Sequence, residues 1–178
     1  MKKYLIIAIL LLIKHNSNAQ AGIEYDTCNF LQQYVGEWKY INGQDTIRIY
    51  LKYARTIGSY LTSVKDNLWG WVDYKSGSVI KESNYQYRFD SIPYNSDSHE
   101  LNKFPIFLSL WNCNNSSSIK FVGAIRDSAQ EGEFHVVTAT LDPTKTIMTW
   151  RQHHSEGYGA FTGARGMTLP KTFVLIKQ

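Results

Sequence analysis

Little in this sequence is reserved for chemistry. Its 178 residues hold two cysteines, Cys28 and Cys113, and four prolines. Two thiols that far apart are not the paired spacing of a zinc site. In an oxidising compartment they either pair, closing a large loop, or stand as unpaired thiols. There is no Gly-x-Ser-x-Gly elbow, and the glycine-rich stretch 155–166 is not followed by the helix that a phosphate loop needs. Scattered acids such as Asp66, Asp73, Asp90, Asp97, Glu131 and Glu133 form no recognisable pair for hydrolysis. The adjacent His153 and His154 would face opposite sides of a strand, so only one could join His135, and no third ligand stands at a recognised spacing. No catalytic residue, metal ligand set or cofactor is therefore expected, and the reading is of a protein without enzymatic activity.

Long apolar runs are also missing. The longest opens the chain: Lys2 and Lys3, the apolar stretch 4–13, the polar Lys14-His15-Asn16, then Ser17-Asn18-Ala19. Ten apolar residues fall far short of the roughly 20 that span a bilayer. The order of charge, apolar segment and small residues is that of a signal peptide, expected at residues 1–19, with Gln20 opening the mature chain. A lipid tether at Cys28 is disfavoured by the bulky, charged Tyr25-Asp26-Thr27 before it. The expected location is periplasmic or extracellular, with no stable membrane insertion once the leader is gone. The leader also carries three of the 19 basic residues, leaving 16 against 15 acids, so the net charge falls from +4 to +1. No dense basic cluster survives, which argues against nucleic acid as a partner.

What the sequence has is alternation. Within residues 45–53, Ile47, Ile49, Leu51 and Tyr53 fall on one face, and Thr46, Arg48, Tyr50 and Lys52 on the other. Period two with β-branched and aromatic residues predicts a half-buried strand. Residues 36–41 precede it as a second strand across an Asn42-Gly43 turn. Further strands are expected at 68–74, 78–82, 106–111, 119–126, 134–141, 146–152 and 173–177. Tyr85, Tyr87 and Phe89 alternate as one more. A helical turn is expected around 29–34. Residues 20–178 thus read as one all-β domain, an antiparallel up-and-down meander of about eight to ten strands closing into a barrel.

The segment Leu31 to Trp38, a helical turn running into Gly36-Glu37-Trp38 at the head of the first strand, resembles the opening of lipocalin-like (calycin) barrels. With the closing strand at 169–177, it is similar to a family of uncharacterised secreted bacterial proteins. The resemblance implies that Trp38 plugs one end of the barrel while Gly36 lets the backbone pass close by. It departs at one place: lipocalins lay an arginine from the last strand across the tryptophan, and here the last strand offers Lys177, with Arg151 a strand earlier as an alternative.

Aromatic residues are the compositional excess, with five Trp and twelve Tyr. Facing inward, Trp69, Trp71, Tyr85, Tyr87, Trp111 and Trp150 would line a pocket for a small apolar or amphipathic ligand. Facing outward they would form a stacking platform, and in a filled barrel they are core. The preferred expectation is a secreted, non-catalytic binding barrel. The alternatives are a structural or protein-interaction module and, less favoured, an enzyme with an unrecognised site.

Overall fold

The structure, a computed structural model, describes residues 22–57, 63–92, 103–110, 120–127, 133–153 and 168–178. Ten strands appear in chain order: β1 Gly22–Glu24, β2 Gly36–Asn42, β3 Asp45–Ile57, β4 Ser63–Ser76, β5 Val79–Ser83, β6 Ile106–Leu110, β7 Lys120–Asp127, β8 Glu133–Leu141, β9 Ile147–His153 and β10 Thr172–Lys177. Eight of them, β2 to β4 and β6 to β10, pair antiparallel with their sequence neighbours, and β10 returns to β2. The expected up-and-down barrel is thus the fold, and closure removes the open edges that an antiparallel sheet otherwise presents.

The inner face follows the alternation. On β3 the buried Ile47, Ile49 and Leu51 stand opposite Tyr40, Trp38 and Gly36 of β2. On β4 the same three face Tyr74, Val72 and Gly70. The core continues through Ile106, Leu108, Phe121, Ile125, Val137, Ala139, Met148, Trp150, Phe173 and Leu175. Two inward glycines let β6 sit tight between β4 and β7. A Cβ on Gly70 would lie 2.6 Å from Leu51 Cδ2, and one on Gly123 would strike the Phe107 carbonyl oxygen.

The outer edge of β4 is shared. Residues 63–65 take the parallel β1, 68–70 take β6, and 73–76 take β5. This division corrects one expectation. Residues 85–89 are not a strand but a 3-10 helix, Tyr85–Phe89. With the β4 edge occupied, Asn84 ends the pairing by accepting from Val72 N–H and donating its own N–H to Val72 O. The chain then lifts off the sheet and folds its rings onto the outer wall.

The N-terminal end of the barrel is shut by the 3-10 turn Leu31–Gln33. Asp26 organises it, accepting from Phe30 N at 2.8 Å and Leu31 N at 2.7 Å. Asp26 in turn donates its own N–H to Asp66 Oδ2 at 2.9 Å, and Asp66 pairs with Arg55 at 2.8 Å. Burial alone would raise the Asp66 carboxyl, but Arg55, the Asp26 N–H and Tyr53 outweigh it and hold it below the usual carboxylate range. A depressed folded pKa stabilises the fold above the unfolded value, about 3.9, and that contribution disappears as pH falls through the folded value. Asp66→Asn should therefore cost about 1–3 kcal/mol at pH 7. In urea titrations at both pH values, the gap from wild type should shrink towards pH 3. A gap that stays constant with pH would show that the ion pair is not what the carboxylate contributes.

Candidate functional site

The barrel interior is apolar from its plugged end upward until the β8–β9 wall, where a polar strip begins. His135, Gln152 and Trp150 lie on the inward face, set by the register Ile125↔His135, Val137↔Gln152 and Ala139↔Trp150. Gln152 Nε2 and His135 Nδ1 are 3.0 Å apart. With the amide nitrogen donating there, the imidazole carries its proton on Nε2. Among the described residues, that Nε2 atom and the indole Nε1 of Trp150 are both buried with no hydrogen-bond partner. The residues are 8% and 0% exposed.

Phe173 stacks beside Trp150, ring centroids 6.2 Å apart, and itself meets Tyr40 at 5.5 Å. Asp127, inward at the same end of β7, holds Thr168 through its N–H and hydroxyl, tying the strand to the approach to β10. The strip therefore offers two buried N–H donors on an aromatic and aliphatic wall, with a carboxylate above. A buried donor without an acceptor costs on the order of 1–3 kcal/mol. Two on one wall require an explanation.

Of the six aromatic residues expected to line one pocket, five are described, and among these only Trp150 stands on the inner wall. Trp69 and Trp71 project from the opposite face of β4, and with Tyr85 and Phe104 they form a separate cluster on the outside of the barrel. Tyr87 packs against that cluster together with Tyr50 and Phe107. The sequence thus gathered four residues correctly but put them on the wrong side of the wall. Trp69 and Phe107 rings are 4.7 Å apart, and Trp71 meets Phe104 at 5.6 Å. Arg48 and Arg88 lie over the Tyr85 ring at 4.5 and 4.4 Å. Burial, and then the Glu37 carboxylate, push the Tyr85 phenol up to about 12. The cluster fastens the described ends of the connection between β5 and β6, through Tyr85, Tyr87, Ile92 and Phe104, onto the barrel. Trp111 lies outside the described residues, as do Cys113 and the segment 1–21.

Cys28 is disulfide-bonded. His153 turns away from His135, its Nε2 3.0 Å from Thr138 Oγ1. Among the described residues no three His, Cys, Asp or Glu side chains come together as a metal site would require. No helix among them is long and apolar enough to cross a membrane.

The plugged end is built around Trp38, Gly36 and Lys177. Trp38 is wholly buried and donates Nε1–H to Tyr34 O at 2.8 Å. Gly36 has φ +122, which a side chain rarely tolerates, and Lys177 passes over it. Lys177 Nζ stands 5.2 Å from the centroid of the Trp38 ring and donates to Gln33 O at 3.0 Å. The lysine of the last strand, not Arg151, thus lies over the Trp38 ring, and Arg151 is exposed on the outer face. A model of a family of unknown function, DUF6705, matches residues 1–178. The chain belongs to that family. No curated protein and no solved structure matches it. Membership in DUF6705 brings no activity with it, so function has to be argued from the polar strip and its surroundings.

Sequence reasoning set His135 aside as structural and passed over Gln152. The turn at 142–145 held the clue. A hairpin pivoting there sets Val137 opposite Gln152, so His135 and Gln152 become near neighbours on one face.

Proposed function

We propose that this chain is an exported, non-catalytic binding protein that takes a small apolar or amphipathic molecule inside the barrel, at the end away from Trp38. The observation that carries this reading is a pair of N–H groups, His135 Nε2 and Trp150 Nε1, buried on the inner wall without an acceptor among the described residues. A ligand acceptor at either donor would satisfy it, while the apolar body lies against Phe173, Val137 and Tyr40. Sites of this kind combine apolar lining with few oriented polar groups. Nothing in the proposal needs a nucleophile, a metal or a cofactor. Export follows from the leader read at residues 1–19.

The test is titration of the mature chain with anilinonaphthalene sulfonate and with a medium-chain fatty acid as competitor. Saturable one-to-one binding is expected. Trp150→Phe keeps the ring and removes one donor, and should weaken the complex about threefold to tenfold, the worth of one hydrogen bond. His135→Leu should do the same. Absence of saturable binding by either probe, or wild-type affinity in both variants, would overturn the reading.

A further inference from the structure

We infer that the polar strip selects an uncharged hydrogen-bond acceptor, so that the class of ligand it takes is a neutral carbonyl compound, an aliphatic ketone or ester. Gln152 is the positioning residue that sets this preference. The inference rests on the reading of the strip as a ligand site.

The strip offers donors without a countercharge. Among the described residues, His135 Nε2 and Trp150 Nε1 are buried with no acceptor. An ammonium group only donates and satisfies neither. A carboxylate accepts, but a buried anion also needs a cation beside it. The strands around the strip bring none to it. β8 contains no Lys or Arg, Arg151 of β9 is exposed on the outer face, and Lys177 of β10 lies at the other end over Trp38. On β7, Arg126 alternates with the buried Ile125 and Asp127. The Asp127 carboxylate faces inward at this end, where it holds Thr168 and would repel a second anion.

Gln152 decides what kind of donor His135 is. Its Nε2 stands 3.0 Å from His135 Nδ1. An amide nitrogen donates and does not accept, so Nδ1 takes that hydrogen bond and the ring proton sits on Nε2. A further proton on Nδ1 would set two donors against each other. The strand holds this amide in place: Gln152 lies opposite Val137, and its backbone N–H donates to Lys171 O at 2.8 Å. The imidazole thus presents Nε2–H as a neutral donor beside the neutral indole. A ketone or ester oxygen accepts from either without bringing charge into the wall, and its alkyl chain is left for Phe173 and Val137.

The experiment uses the mature chain with nitrogen-15 in its imidazole rings. It is titrated with 2-nonanone, sodium nonanoate and nonylammonium chloride at about pH 7, where the acid and the amine are both ionised. The ketone should bind at least about tenfold tighter than either ion. The His135 spectrum should show a proton on Nε2 and none on Nδ1 with and without ketone, and the Nε2–H signal should move on binding. Gln152→Glu replaces the donor facing Nδ1 with an acceptor, so both ring nitrogens should become protonated. Affinity for nonanoate should then rise about tenfold while that for the ketone falls. Gln152→Leu removes the contact and should weaken the ketone without favouring nonanoate. Unfolding midpoints establish that each variant folds, and the wild-type series and its imidazole spectrum decide the matter even where one does not.

Tighter binding of nonanoate by wild type would overturn the inference, as would a proton found on His135 Nδ1. Tightest binding of nonylammonium would overturn it in favour of Asp127 as the recognising group. Equal, saturable binding of ketone and nonanoate would sink this inference and leave the binding reading standing. If neither of them binds, nor anilinonaphthalene sulfonate, both fall together.

Discussion

Trp38→Ala is expected to destabilise the protein by about 4 kcal/mol, the range for emptying a fully buried indole site. Three interactions meet on this one ring. Its carbon skeleton lies among Ile49 and the neighbouring core of β3, its N–H satisfies the Tyr34 carbonyl, and the Lys177 ammonium lies over its face. Alanine would leave a cavity, a buried carbonyl without its donor and a cation without its ring. Because Lys177 Nζ also donates to Gln33 O, the loss should propagate into the 3-10 turn that plugs the barrel. Amide exchange should therefore speed up at residues 30–35 as well as at 38 itself. Trp38→Phe keeps a ring and should cost roughly half as much. Lys177→Arg should be nearly neutral, since a guanidinium can serve the same ring face and carbonyl. A loss below about 2 kcal/mol for the alanine variant would mean that this end of the barrel can collapse around the hole.

The plug was legible because its signals are local. A glycine at φ +122, a tryptophan two residues later and a helical turn before them can be read off a short stretch. The β2–β3 hairpin was legible for the same reason, with Gly43 at φ +59 in its tip. The strands ran longer than their alternation suggested: β3 reaches Ile57 and β4 begins at Ser63. Beyond Tyr53 the ladder sets the exposed Arg55 opposite the buried Asp66, and the two form an ion pair across the strands. Charge in a strand looks like an end when its partner lies in another strand.

The candidate site was less legible, again for a physical reason. Alternation assigns residues to two faces but does not say which face is the inside. The β4 strand carries Leu68, Gly70, Val72 and Tyr74 inward and Trp69, Trp71 and Asp73 outward. Both faces are rich in large side chains, because Tyr85, Tyr87, Ile92 and Phe104 cover the outer one. Likewise Tyr85, Tyr87 and Phe89 have the composition of a strand but find the β4 edge already taken by β5 and β6. The polar strip needs two strands in register before His135 and Gln152 touch, and no single window of sequence contains that.

Breaking the disulfide is the second large effect. Cys28 is disulfide-bonded, and the one other cysteine in the chain is Cys113. An internal bond between them would cross-link a loop of roughly 85 residues, worth about 3–4 kcal/mol through the lost entropy of the unfolded chain. Its placement adds to that. Cys28 sits between Asp26, which holds the turn, and Leu31 and Tyr34, which fill the barrel mouth, so the cross-link fastens the plug itself. Cys28→Ser and Cys113→Ser should each lower the urea-unfolding free energy by about that amount. The double variant should lose no more than either single one, because both remove the same bond. Dithiothreitol should bring wild type to the level of the variants, and the intact mass should rise by about 2 Da on reduction, one hydrogen per thiol. Additive losses in the double variant, or a wild type indifferent to reductant, would show two independent side chains. Cys28 would then hold the plug only through its neighbours.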